Sequence, residues 1–488
     1  MGPKHRVIID TDPGVDDTLA LLLALSANPD DLQLDLISVT YGNVEVESCV
    51  RNVVSIFHHV EKEMAWRRSV GRPEGFELLK KMKPLVAVGA DSPLAEQKRM
   101  ADYFHGRDGL GGIYETHPHL SPAETWKHLF KLDKATSDPE ELAMAEELQT
   151  TDTLFTPSKR PAHEEILRLL KENEPDTFTI VAIGPLTNIA IAAAADPETF
   201  LRVKELVVMG GAINFEGNVG ALPLPPQPPL HNPKFPCPPF KLIKQPPNVL
   251  RTALNLRNQI TPVAEFNTYA DSVAAARVYA LTSLFPWTTM PPTPPLPPQV
   301  DQAATDAPPV HLSAYPKKLS RQLKVSLFPL DITNHHWLRA GTFRAVMAEP
   351  SLEGSPLAAF MTAFLTSTFR KMESLHHGHE GDNVGLSLHD PLCIWYLLNK
   401  DHSAHAVSLS EPRDIRVETS GQWTRGMYVV DHRDRKKMSA PNSDEPVEVV
   451  GDAGLWLDER AGNRIRVAVE SGGIHVFGEQ LIRRILDV

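Results

Sequence analysis

The sequence predicts an α/β protein: an open, mostly parallel sheet, helices on both faces, and a site at the carboxyl ends of the strands. Three observations carry this expectation. Short apolar or β-branched runs recur at residues 7–9, 32–40, 85–88, 178–183, 206–209 and 325–328. Helix-favouring stretches stand between them, such as 18–25 and the alanine-rich segment that ends at Ala195. Glycine, asparagine or aspartate follows most of the runs, as a tight turn requires. Strands alternating with helices build a parallel sheet covered on both sides. In such sheets ligands bind just beyond the strand ends.

Taken in order, the first run closes on Asp10-Thr11-Asp12-Pro13-Gly14 and feeds the first helix. The second ends at Tyr41-Gly42-Asn43, the third near Gly89, the fourth at Gly184-Pro185 and the fifth at Gly210-Gly211. Residues 415–430 and 465–467 read as a few further strands with turns. Three segments break the rhythm within what otherwise reads as one domain, 1–488. Residues 134–161 are polar and charged, a surface insertion. Residues 219–259 and 286–316 hold many of the 43 prolines. Proline lacks a backbone donor and fixes φ, so neither segment supplies an interior strand or helix.

Composition narrows the function. The chain has 488 residues, is 42% hydrophobic, and carries a formal net charge of -12. That charge argues against a nucleic-acid partner, whose phosphates need a basic surface. Cys49, Cys237 and Cys393 are too sparse for a disulfide framework and form no zinc spacing. No apolar run reaches the length of a membrane span or a signal-peptide core. A soluble, cytoplasmic protein with no membrane partner is the expectation.

Chemistry concentrates in Asp10-Thr11-Asp12-Pro13-Gly14-Val15-Asp16-Asp17. Four carboxylates at one strand end repel each other and raise each other's pKa unless a cation sits among them. Hard divalent cations take such oxygen ligands, calcium accepting six to eight. A helix cap needs one aspartate, not four. The histidines at 376, 377 and 379 invite a transition-metal reading, but no matching cluster lies elsewhere in the sequence.

DTDPGVDD resembles the opening motif of the inosine-uridine preferring nucleoside hydrolase family. Further segments follow in that family's order: Tyr41-Gly42-Asn43, His105-Gly106-Arg107-Asp108-Gly109-Leu110-Gly111, Ile183-Gly184-Pro185-Leu186-Thr187-Asn188, Met209-Gly210-Gly211-Ala212, Gly217-Asn218, Thr261-Pro262-Val263-Ala264-Glu265-Phe266-Asn267 and His389-Asp390-Pro391. Each is weak alone, and the ordered set is specific. The resemblance implies hydrolysis of the N-glycosidic bond of ribonucleosides, a calcium cofactor and a homo-oligomer, dimer or tetramer. It makes Asp12 the catalytic base and a calcium ligand. Asp17, Asp390 and the Ile183 carbonyl complete the calcium set. Asp16, Asn43, Asn218, Glu265 and Asn267 grip the ribose, with Met209 beside them. His389 lies near the leaving base, and His105 faces the base in some members. Asp10 is read as ordering its loop, and Asn188 as capping or ordering the following helix.

These residue types suit the chemistry. The glycosidic bond breaks as positive charge grows on the sugar. Asp12 can take a proton from an attacking water, and a histidine can serve the departing base. Amides and carboxylates match the donors and acceptors of ribose hydroxyls.

Two other readings stay open. Asp10-Thr11-Asp12 also fits the DxD of a haloacid-dehalogenase-like phosphohydrolase, which leaves the Ala-Glu-Phe-Asn and His-Asp-Pro segments unexplained. An inactive homologue is the other, disabled by residues 219–259, which separate Asn218 from Thr261. Removing them joins Asn218 to Ile260 and restores the family spacing. The segment has the marks of a translated intron, since valine codons begin GT and one glutamine codon is CAG.

Overall fold

A computed structural model describes residues 3–122, 126–130, 153–218, 261–292, 309–375, 380–400, 402, 404–433, 435–439, 446 and 449–488. Residues 219–259, the histidines at 376, 377 and 379, and most of 134–161 lie outside them. So does the middle of 286–316.

The described strands are β1 His5–Thr11, β2 Leu32–Val39, β3 Leu85–Val88, β4 Thr156–Pro157, β5 Phe178–Ala182, β6 Glu205–Met209, β7 Val325–Phe328, β8 Trp337–Arg339, β9 Gly385–Ser387, β10 Val407–Leu409, β11 Ile415–Val417, β12 Tyr428–Val430 and β13 Ile465–Ser471. Nine of them form one sheet in the order β10-β13-β7-β6-β5-β1-β2-β3-β4. Every pairing in it is parallel except β10 with β13. β11 pairs with β12, and β8 with β9, as separate antiparallel two-stranded ribbons. The six expected strands are all present. The segment read as a polar insertion contributes β4, an edge strand on β3.

Alternation along the strands sends side chains to opposite faces. Val7 and Ile9 join one core, packed under helices Val15–Leu25, Val46–Ser69, Pro356–Leu375, Pro391–Leu398 and Phe477–Leu486. Ile8 joins the other, packed under helices Ala162–Glu172, Thr187–Ala195 and Ser272–Ala280. Ile180 and Val181 of β5 divide in the same way. Both faces are therefore covered, as the near-continuous apolar strands demand.

On the first face, Arg67 donates from Nε to Glu63 at 2.8 Å and from Nη2 to the Leu486 carbonyl at 3.0 Å. Glu63 also accepts from Ser355 Oγ at 2.6 Å. Both charged groups are buried and carry several partners, which is what makes a buried ion pair tolerable. The cluster ties helices Val46–Ser69 and Phe477–Leu486 to the start of helix Pro356–Leu375.

The chain leaves β1 toward β2, β3 and β4, then returns to the other side through β5, β6 and β7. This reversal beside β1 opens a crevice at the carboxyl ends of β1, β2 and β5. Residues 12–17, 41–43 and 183–184 all emerge there. No helix among the described residues is long and apolar enough to cross a membrane.

Candidate active site

The loop after β1 is wrapped around its own carboxylates. Asp17 Oδ1 accepts from Thr11 Oγ1 at 2.7 Å, and Oδ2 accepts from the Gly14 amide at 3.1 Å and Asn43 Nδ2 at 2.8 Å. Asn43 Nδ2 also donates to the Asp12 carbonyl at 3.1 Å. Asp17 thus stands in the first turn of helix Val15–Leu25, where amide groups favour negative charge.

Asp12 is fully buried. Its Oδ2 accepts from the Asn43 amide at 2.6 Å, while Oδ1 has no partner. Two glycines let the backbone approach it. A methyl group on Gly42 would lie 2.0 Å from Asp12 Oδ2, and one on Gly184 would lie 2.5 Å from Oδ1. Alanine at either position would push the carboxylate aside.

Asp16, Asp17 and Asp390 each bring one oxygen into a group whose members all lie within 4.8 Å of one another. Asp390 immediately precedes helix Pro391–Leu398, whose main contacts are with helix Val15–Leu25. That packing carries Asp390 across the sequence to the loop of β1. Burial raises Asp16 to about 7, with the Asp17 charge adding to it. Burial and then the Asp16, Asp17 and Asp12 charges push Asp390 well above the usual carboxylate range. Asp12 is raised by burial first and Asp17 second. No described lysine or arginine pairs with any of the four.

An oxygen-only donor set, crowded, buried and short of positive charge, fits a hard divalent cation. The orphaned Asp12 Oδ1 is a buried acceptor awaiting a donor or a cation. Asp16, expected to serve the sugar, stands with Asp17 and Asp390, and Asp12 stands beside the three.

Asp10 has a different environment. Its Oδ1 accepts from Ser38 Oγ and from Asn188 Nδ2, the latter at 2.9 Å. Asn188 Oδ1 accepts from the Ala90 amide at 2.7 Å. Asn188 therefore fastens the ends of β1, β2 and β3 together and makes no cap of its helix. Asp10 is fully buried in this clasp, with its Oδ2 left without a hydrogen-bond partner. The DxD nucleophile of a phosphohydrolase would have to be that carboxylate, so the arrangement speaks against the phosphohydrolase.

Across the crevice, Glu265 sits at the start of helix Phe266–Ala270. Its Oε1 accepts from the Asn267 amide at 2.6 Å, and its Oε2 from the Gly211 and Thr268 amides at 2.8 and 3.0 Å. Asn267 Nδ2 donates to the Ile183 carbonyl at 3.0 Å and reaches Met209 Sδ at 3.4 Å. Met209 is buried in the first core. Asn218 Oδ1 accepts from the Phe266 amide at 2.9 Å. The Gly217 amide donates to the Pro262 carbonyl at 2.9 Å, and the Asn218 amide to the Ala264 carbonyl at 3.1 Å. The two chain ends that flank residues 219–260 are thus hydrogen-bonded to each other.

Two histidines complete the rim. His105 Nδ1 accepts from the Val15 amide at 3.3 Å, and burial lowers its pKa to about 3, the nearby His389 adding to the shift. His389 Nδ1 meets Thr333 Oγ1 at 2.8 Å, and burial lowers it to about 4. Both rings are held neutral near pH 7. Thr333, just beyond β7, carries no motif that marks it in the sequence. Thr11, which bonds Asp17, is hidden between two aspartates.

The family described as inosine-uridine preferring nucleoside hydrolase matches residues 7–454. An uncharacterized protein of Schizosaccharomyces pombe is 27% identical over 429 residues, covering 87% of this chain and 89% of its own. The pyrimidine-specific ribonucleoside hydrolase RihA of Salmonella typhimurium is 25% identical over 429 residues, covering 87% and 88%. Among solved structures, the plant nucleoside hydrolase PpNRh1 shares the fold at a TM-score of 0.56 and 19% identity, with 100% of both chains covered. A purine-preferring ribonucleoside hydrolase of Gardnerella vaginalis gives 0.53 and 19%, with 99% and 98% covered. By the match over nearly its whole length, this chain belongs to the inosine-uridine preferring nucleoside hydrolase family.

Proposed function

We propose that this chain hydrolyses the N-glycosidic bond of ribonucleosides to ribose and free base, with Asp12 as the base that takes the proton of the attacking water. The observation that carries the site assignment is the unpartnered, buried Asp12 Oδ1 beside the Asp16, Asp17 and Asp390 carboxylates. Calcium is the cation we assign, held by Asp12, Asp17, Asp390 and the Ile183 carbonyl. Its tolerance of many oxygen ligands in irregular geometry suits a loop built of carboxylates. A bound divalent cation supplies positive charge that acidifies a nearby water and offsets the crowded aspartates.

The other residues divide the sugar and the base. Asn43 spends its amide nitrogen on Asp12 and Asp17, which leaves its carbonyl oxygen to accept from a hydroxyl. Asn267 is arranged alike, its nitrogen given to Ile183 and Met209. Asn218 is the reverse, with Oδ1 engaged and Nδ2 left to donate. With Asp16 and Glu265, these groups offer the alternating donors and acceptors that a ribose presents. His389 and His105 each keep Nε2 for the leaving base, and neither carries a positive charge near neutral pH.

This reading is tested by comparing the best ribonucleoside with its 2′-deoxy analogue. The ribonucleoside is expected to lead in kcat/KM by at least about fivefold, because a buried partner left unpaired costs about 1–3 kcal/mol. Equal values would contradict the sugar assignment.

Residues 219–259 interrupt this set between Asn218 and Thr261. We propose that they add nothing to the site. The paired flanks need only a short connection, and a long excursion costs little closure entropy yet can loosen Asn218. Deleting 219–259 is expected to give more soluble protein with equal or higher kcat/KM, in side-by-side purification and assay. Lost activity in a folded, calcium-binding deletion variant would make the segment part of the site. Calcium or ribose binding without turnover, in the full chain alone, would identify a homologue disabled by it.

A further inference from the structure

The ribbon β11–β12 lies outside the main sheet, and its β12 end reaches the Glu265 segment. We infer that Tyr428 is a positioning residue for the sugar site, acting on Glu265 through Thr268. The inference rests on Glu265 being a sugar ligand, as proposed above.

Four hydroxyl and carboxylate groups stand in line. Tyr279 Oη lies 2.7 Å from Tyr428 Oη, which lies 3.1 Å from Thr268 Oγ1, and Thr268 Oγ1 donates to Glu265 Oε2 at 3.2 Å. An ionised carboxylate only accepts, so the line has one direction. With its proton given to Glu265, Thr268 must accept from Tyr428, and Tyr428 from Tyr279. Bonds ordered head to tail strengthen one another in a buried setting. All four residues are buried.

The rest of the ribbon fixes Tyr428 in that line. Its ring fills the space above Gly211, where a methyl group would lie 1.8 Å from Tyr428 Cε2; the φ of +77° at Gly211 also favours glycine. Gly211 is the residue whose amide donates to Glu265. Arg425 lies over the Tyr269 ring, 4.2 Å from its centroid, and donates to the Tyr269 carbonyl at 3.2 Å. Thr261 Oγ1 donates to the Trp423 carbonyl at 3.3 Å. The turn 423–428 thereby clasps 261–269 from outside, and the Tyr428 hydroxyl is the one ribbon group in the line to Glu265. Glu265 Oε1 takes the Asn267 amide and keeps a lone pair for a hydroxyl, so small rotations of this carboxylate alter how it meets the sugar.

The test uses the full chain, the best ribonucleoside found, and its 2′-, 3′- and 5′-deoxy analogues. Glu265→Gln is expected to lose discrimination at one hydroxyl. Tyr428→Phe keeps the ring against Gly211 and removes only the hydroxyl. It is expected to lose about three- to tenfold of the discrimination at that same hydroxyl, the span of one hydrogen bond. KM for the parent should rise by a like factor, with kcat within about twofold. If Glu265→Gln acts at one hydroxyl while Tyr428→Phe leaves KM and all three ratios unchanged, the relay is overturned and the sugar assignment stands. Equal loss at every hydroxyl in Tyr428→Phe marks general loosening and also overturns it. If Glu265→Gln changes no ratio, the sugar assignment fails and the relay with it.

Discussion

Asp12→Asn is expected to lower kcat by at least about 10²-fold, within the span of general base catalysis. Asparagine preserves the shape and keeps an oxygen able to accept from the Asn43 amide, so the loop should hold. What it loses is the ability to take a proton. Burial and the Asp17 charge raise the Asp12 carboxyl in the cation-free protein. Raising an acid's pKa makes it a stronger base but keeps it protonated to higher pH, so it works only on the alkaline side of that pKa. Positive charge among Asp16, Asp17 and Asp390 would reverse the repulsion and free the base near neutrality. The check is kcat with saturating nucleoside, alongside calcium stoichiometry. Near-normal turnover in a variant that still holds calcium would move the role to another group.

Asp390→Ala should abolish both cation binding and turnover. Asp390 is brought to Asp16 and Asp17 only by the packing of its helix against the first helix. Removing one of the three carboxylates assigned to calcium, those of Asp12, Asp17 and Asp390, leaves too few ligands for a hard cation, whose affinity depends on the number of carboxylates. A ligand that binds only the folded state stabilises it by mass action. Calcium should therefore raise the Tm of the wild-type protein and leave that of Asp390→Ala unmoved. Asp17→Ala should behave alike. Full activity in an exhaustively chelated wild-type preparation would refute the cation assignment.

Much of this arrangement was legible in the sequence, for local reasons. Six strands stood out because both faces of a parallel strand are buried and its residues are apolar throughout. The loop of residues 10–17 stood out because four carboxylates crowd one strand end. The family motifs placed Glu265 and Asp390 near the same crevice. What the sequence concealed depends on distance along the chain. Asn188 looked like a helix cap, yet its side chain spans three strand ends because β1, β2 and β3 end side by side next to the turn that follows β5. Asp16, expected to serve the sugar, also adjoins Asp390, which lies far along the chain. Thr333 and Tyr428 carry no motif of their own. Their partners, His389 and Thr268, are identified only once β7 and the β11–β12 ribbon are placed. Strand β4 hid inside a polar segment because an edge strand with one neighbour needs little apolar character.

Water is the second substrate of the proposed hydrolysis, and its oxygen must end on the sugar. The most direct measurement is therefore incubation of the full chain with a ribonucleoside and calcium in ¹⁸O-water, followed by mass spectrometry of the products. One labelled oxygen is expected in the released ribose, with an unlabelled intact base and no products after chelation. Label in the base, label in phosphate released from a phosphorylated substrate with no base set free, or turnover that survives exhaustive chelation would contradict it.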